Sequence, residues 1–200
     1  AGEWVVTIND GFTITGNDDG NYNLTPAADI KAKITAKEIT VGFTAEDKEY
    51  DGTTVATVQN FVFPGVIEGD ALAMASATAS FAEARAGEWD VTINDGYAVT
   101  GNDDSNYAIA FAPVKASITA KAITVGFTAD DKVYDGGTAA TVHDFVFPGV
   151  VAGDALKVAT VTASFAEAKF GTWAVTIDNC TVTGNEDGNY AIGFSGNVTA

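Results

Sequence analysis

Three loops of this chain gather oxygen ligands. The word G-N-[DE]-D-x-N-Y ends at Tyr22, Tyr107 and Tyr190. In its first occurrence Asn17, Asp18, Asp19 and Asn21 crowd oxygen-bearing side chains together, and Asp103 and Asp104 repeat the pattern. A second acidic cluster, Glu46, Asp47 and Asp51, returns as Asp130, Asp131 and Asp135. Closely spaced carboxylates and amides suit a hard cation, and Ca²⁺ takes about six to eight oxygens. No Cys or His cluster exists to hold zinc. The spacing is not that of an EF-hand, and no bidentate Glu follows at the right distance. The competing reading is a turn in which Asp and Asn bond their own backbone, which needs no cofactor. Both readings stand at this point, with these acids as the calcium candidates and no other cofactor expected.

Nucleophilic catalysis finds little support. His143 is the only histidine, and its counterpart earlier in the chain is Gln59. A Ser–His–acid or Cys–His site would therefore exist in one place only. Glycosidase-type work needs a cleft with one desolvated acid, and short turns do not build one. Cys180 is the only cysteine, so no internal disulfide forms. A Lys–Asn crosslink would need lysines in apolar strands, whereas Lys48 and Lys132 sit in charged loops. The chain is not expected to be an enzyme.

The elements that carry these residues repeat. Ile34–Ala84 aligns without a gap to Ile118–Ala168, so Tyr50 answers to Tyr134. The block G-x-W-x-V-T-I recurs at Trp4, Trp89 and Trp173. A period of about 84 residues is a whole small domain, longer than a solenoid repeat. Within one period, alternation marks strands at 38–44, 55–63, 71–81, 89–93, 97–100, 107–111 and 114–119. Asp-Gly, Pro-Gly and Asn-Asp-Gly steps punctuate them. The pattern predicts an all-β chain of tandem antiparallel β-sandwich (Ig-like) modules. Residues 36–119 and 120–200 are the two modules, and residues 1–35 are the last strands of a truncated one. Modules that follow without a Gly/Ser/Pro tract are expected to join semi-rigidly. Trp4, Trp89 and Trp173 fall at period-2 positions and are expected in the core, with Tyr134, Phe145 and Phe147. The alternative for the tryptophans is an exposed platform for sugars.

Composition narrows the partners. The chain has 200 residues, is 46% hydrophobic, and carries a net charge of −17. Nucleic acid is not expected as a partner, because phosphate binding needs a basic stripe. The same charge disfavours anionic membranes. No apolar run reaches the roughly 18 residues that span a bilayer. A signal sequence and any anchor are expected outside this stretch.

The words around Tyr50-Asp51-Gly52 and Tyr134-Asp135-Gly136 resemble the YDG family of bacterial surface proteins. Lys48 and Lys132 stand two residues before each Tyr. Gly65-Val66 with Gly69-Asp70 matches that family's G-V-x-x-G-D, and Gly101–Tyr107 looks like its G-x-D-x-G-N-Y. Glu186 replaces the motif Asp in the last copy. The resemblance implies tandem β-rich modules in large secreted or cell-surface, haemagglutinin-like or adhesin-like proteins, with no catalytic residues to carry over. The expected function is a spacer that extends a distal binding region. The alternative is a module that binds glycan or protein through loops at one end. Expected partners are neighbouring modules of the same chain, and host or matrix glycan or protein.

Overall fold

The computed structural model describes residues 1–9, 15–16, 19–22, 25, 29–196 and 198–200. Among the described residues there are strands, turns and bends but no helix. In chain order the strands are β1 (Gly2–Val5), β2 (Lys31–Ile34), β3 (Lys37–Ala45), β4 (Lys48–Glu49), β5 (Val55–Ala56), β6 (Val58–Val62), β7 (Ala73–Ser76), β8 (Ala79–Phe81) and β9 (Gly87–Ile93). They continue as β10 (Ala98–Thr100), β11 (Tyr107–Phe111), β12 (Val114–Thr119), β13 (Lys121–Ala129), β14 (Ala139–Ala140), β15 (Val142–Val146), β16 (Lys157–Phe165), β17 (Val175–Thr183) and β18 (Tyr190–Phe194).

The chain divides into two compact units, and the division cuts through the first sequence copy. The first unit comprises residues 1–43, 60–77 and 96–112. Its core is Ile39, Val41 and Tyr107, with Phe61, Phe63, Val66, Leu72, Ile109 and Phe111 packed against them. Ile39, Val41 and Phe43 are buried while Glu38, Thr40 and Thr44 are exposed, as a pleated strand with one inward face requires. The Phe43 ring stacks near Phe61 and meets Phe111 edge-on. In the same unit β1 pairs antiparallel with β2, Gly2 opposite Ile34 and Trp4 opposite Ala32. That is the register β9 and β12 adopt, Gly87 opposite Ile118 and Trp89 opposite Ala116.

The second unit comprises residues 44–59, 78–95 and 113–200. One sheet has the order β4-β12-β9-β8-β5. Two more, β15-β13-β18 and β14-β16-β17, enclose the core of the second copy. Phe127 from one of them meets Ala163, Phe165 and Val175 from the other. This is the expected sandwich, its inner faces interdigitated.

Strand pairing is mixed, whereas the alternation and tight turns predict antiparallel sheets alone. β11 runs parallel to β3, β18 parallel to β13, and β4 parallel to β12. In each copy the strand that opens with the loop tyrosine, β11 or β18, returns beside the first strand and points the same way, a crossover that hairpin turns cannot announce. The strand expected over 71–81 is also two strands. β7 pairs with β10, whereas β8 pairs with β5 and β9.

Candidate functional site

The YDG word builds a closed loop. Lys48 Nζ reaches Asp51 Oδ1, Thr53 O and Thr53 Oγ1 at 2.8, 2.8 and 3.0 Å. Asp51 Oδ1 also accepts the Thr53 N–H at 2.9 Å. The second copy repeats this, with Lys132 on Asp135 at 2.9 Å and the Gly137 N–H on Asp135 Oδ1 at 2.9 Å. Gly52 and Gly136 sit at φ 78 and 80, a left-handed turn that glycine enters without strain. Asp135 is held below the usual carboxylate range by the Lys132 ammonium and the Gly137 N–H. Lysine, aspartate and glycine thus fix the direction of the tyrosine between them.

That direction matters because Tyr50 leaves its own copy. Its hydroxyl donates to Asp154 Oδ2 at 2.9 Å, in the Gly153-Asp154 turn of the second copy. Tyr190 donates to the same oxygen at 2.6 Å, and its own hydroxyl oxygen accepts the Val151 N–H at 2.9 Å. The Tyr50 and Tyr190 rings meet edge to face at 5.5 Å. Around this centre the Ala86 N–H donates to Asn189 Oδ1 at 2.8 Å, and Arg85 Nη1 lies 3.7 Å from Asp187 Oδ1. All of these residues belong to the second unit. Burial, and then the Asp154 carboxylate, push the Tyr50 phenol up to about 12. Tyr190 is raised by the same two causes in the same order. Both phenols are therefore neutral donors at physiological pH.

The first copy carries the same acid–tyrosine turn. Tyr107 donates to Asp70 Oδ2 at 2.5 Å and accepts the Ile67 N–H at 3.0 Å. The Ala1 nitrogen donates to Asn106 Oδ1. Ala1 precedes Gly2-x-Trp4 as Ala86 precedes Gly87-x-Trp89. One contact of the joint thus recurs within the first unit.

The tyrosine-bearing loops close through asparagine. Asn102 bonds both the N–H and the C=O of Tyr107, at 2.9 and 2.8 Å, and Asn185 does the same to Tyr190 at 2.9 Å each. Among the described residues, the calcium candidates take separate partners. Asp103 and Asp104 are exposed on one such loop, and Asp19 is exposed as well. Asp18 lies outside the described residues. Glu46 accepts from Gln59 Nε2 at 2.8 Å, Asp47 accepts the Ser117 N–H at 2.6 Å, and Asp51 and Asp135 hold their lysines. Asp130 bonds His143 Nε2 at 2.9 Å, and Asp131 lines a surface cleft. Among the described residues, no three Asp, Glu, His or Cys side chains form a group fit to hold a metal ion.

Two core expectations require correction. Trp89 is half-buried: its indole N–H donates to Arg85 O at 2.8 Å, and the Arg85 guanidinium lies 4.9 Å from the ring centre. Trp173 makes the matching bond to Lys169 O at 2.8 Å, and Trp4 is 59% exposed. The indoles lie over Gly87 and Gly171, whose missing Cβ atoms make the room. Tyr134 is exposed, and Phe145 and Phe147 are half-buried. The buried tyrosines are Tyr50, Tyr107 and Tyr190, all three bonded to an aspartate of a G-D turn. The signal that would have found them is the joint recurrence of the YDG, G-D and G-N-x-D-x-N-Y words at a fixed offset.

Comparison with curated proteins and with solved structures found no match. The family model of the YDG domain matches residues 35–116 and again residues 119–199. The residues that build the joint fall within these two stretches, and the chain belongs to the YDG domain family as two tandem copies.

Proposed function

We propose that this chain is a structural spacer, part of a secreted or cell-surface bacterial adhesin-like protein in which it extends a distal binding region. The observation that carries the reading is the joint. Successive copies are connected by one residue, Ala120, between β12 and β13. They are further tied by the buried Tyr50 and Tyr190, which share the half-buried Asp154 carboxylate. Spending the signature Tyr of a module on its neighbour suits a part whose task is to set distance. The reading is non-catalytic, and His143 fits it. His143 lies on an exposed strand face between Asp130 and Asp144, and Gln59 takes its place in the first copy. The test is small-angle scattering on chains of two, three and four modules. A spacer lengthens by a constant increment per module, and a maximum dimension that stays flat as modules are added contradicts it.

A second reading, a module that binds glycan or protein at one end, is favoured by one observation. A cleft of about 500 Å³ lies beside Tyr134, Phe170 and Trp173. Binding of a glycan array that is lost in Phe170→Ala would support it.

A further inference from the structure

We propose that the face of the second copy around Tyr134 is a docking surface for the acid–tyrosine end of another YDG module. The inference rests on the joint geometry and stands whether or not the array serves as a spacer. Tyr50 is 6% exposed and bonded to Asp154, whereas Tyr134, at the same place in the repeat, is 70% exposed. Beside it Val133 is 90% and Phe170 100% exposed. Phe170 stands where Ala86 donates to Asn189 in the first copy. Apolar side chains displayed together at one end of a module mark an interaction site.

The Tyr134 loop is preformed. Lys132 grips Asp135 at 2.9 Å as Lys48 grips Asp51 at 2.8 Å, and the two loop glycines share one conformation. The ring is therefore already aimed, and docking has little loop ordering to offset.

The covered face of the first copy states what the occupant must bring. Gly52 lies against Val151, since a Cβ there would sit 2.9 Å from Val151 Cγ1. An occupant of the Tyr134 face needs an apolar side chain against Gly136 and a carboxylate oxygen for the Tyr134 hydroxyl. It also needs an acid for Lys169, which stands at the place of Arg85 and now pairs with Glu167 at 3.0 Å. Last, it needs an amide oxygen for the Phe170 N–H. The second copy supplies this set to the first copy from Val151, Asp154, Asp187 and Asn189. The first copy carries Ile67, Asp70, Asp104 and Asn106 at the same places.

Ala200 faces Trp173 as Ala116 faces Trp89, so the test prolongs the chain after Ala200 with a further copy of residues 117–200 whose own Tyr134 is replaced by Phe, nitrates the tyrosines with tetranitromethane, and reads each by mass spectrometry. In the 200-residue chain, Tyr134 is expected to react and Tyr50 to be protected. In the prolonged chain, Tyr134 reactivity is expected to fall about tenfold or more, as local protection from a docked partner requires. Asp154→Asn in the added copy alone is expected to restore it. The peptide with Tyr190 occurs twice and stays protected when the added copy is folded. A second prolonged chain, carrying residues 33–120 after Ala200, repeats the test with Asp70 as acceptor. Tyr134 that stays reactive while the added copy is folded, as read by a protected Tyr190 peptide in the first prolonged chain and a protected Tyr107 peptide in the second, overturns the proposal.

Discussion

The Tyr50 hydroxyl donates to Asp154 Oδ2 at 2.9 Å across 104 positions of the chain. A signature residue of one copy is thereby buried by the next. Tyr134, its repeat equivalent, is exposed although the same lysine, aspartate and glycine surround it in sequence. The difference between them is the partner.

The first prediction compares these two tyrosines. Tyr50→Phe removes a half-buried bond to a carboxylate and is expected to cost about 1.5–3 kcal/mol. Tyr134→Phe is expected to stay within about 0.5 kcal/mol of the parent, as surface substitutions do. Urea unfolding of both variants measures the contrast. Equal losses would remove the joint from the account.

The second concerns alkaline pH. The Tyr50 phenol is pushed up to about 12 in the fold, against about 10 for a free phenol. A raised folded value contributes stability that is fully present below the unfolded value and lost as pH rises through the folded one. The joint is therefore expected to hold to about pH 10 and to fail between about 10 and 12. Phenolate absorbance during a pH titration should show a late, cooperative component that Tyr50→Phe removes.

The third concerns His143. Bonds to Asp130 and then Asp144 raise its pKa, and burial opposes them weakly. Only the imidazolium donates from both nitrogens. Its contribution is fully present below about pH 6.5, the unfolded value, and is lost as pH rises through the folded value. His143→Gln copies the Gln59–Glu46 arrangement of the first copy. Melts from pH 5 to pH 8 should show the parent losing stability relative to the variant. A constant difference across that range would contradict the assignment.

The fold was legible where local chemistry dictates it. Ile39, Val41 and Phe43 alternate with Glu38, Thr40 and Thr44, and β3 buries and exposes them in that order. Turn words at Asp51-Gly52 and Gly69-Asp70 lie where the chain turns. Depth was not legible. A period of two places Trp89 on a face of β9 without saying that this ring is only half-buried, with Arg85 above it. The parallel pairing of β3 with β11 depends on a strand far away in sequence, and no local alternation encodes it. At the site, the carboxylates of the G-N-x-D-x-N-Y loops are conspicuous in the sequence, and the roles of Asn102 and Asn185 in closing those loops, and of the tyrosines after them in reaching the neighbouring turns, are not. The fate of Tyr50 could not be read from its own repeat, because its acceptor belongs to the next one.

The fourth prediction contrasts two glycines of one loop. A Cβ on Gly184 would lie 2.0 Å from Ala155 O, a backbone atom that cannot swing away, at φ 86. A Cβ on Gly188 would meet nothing within 4 Å, at φ 69. Gly188→Ala is expected to cost about 1–2 kcal/mol, the left-handed penalty alone. Gly184→Ala is expected to cost more than about 4 kcal/mol, because strain and a backbone clash combine. Thermal melts should rank them in that order by a wide margin.

The central claim is that the two copies are joined through the Tyr50 hydroxyl and the Asp154 carboxylate, and a double-mutant cycle tests it most directly. Tyr50→Phe, Asp154→Asn and the double variant are unfolded in urea, with Tyr134→Phe in place of Tyr50→Phe as the control cycle. Contacting residues couple by about 0.5–3 kcal/mol, and distant ones add. The account predicts a coupling of about 1–2 kcal/mol for Tyr50 with Asp154 and none for Tyr134 with Asp154. Additive losses at Tyr50 and Asp154 would contradict it.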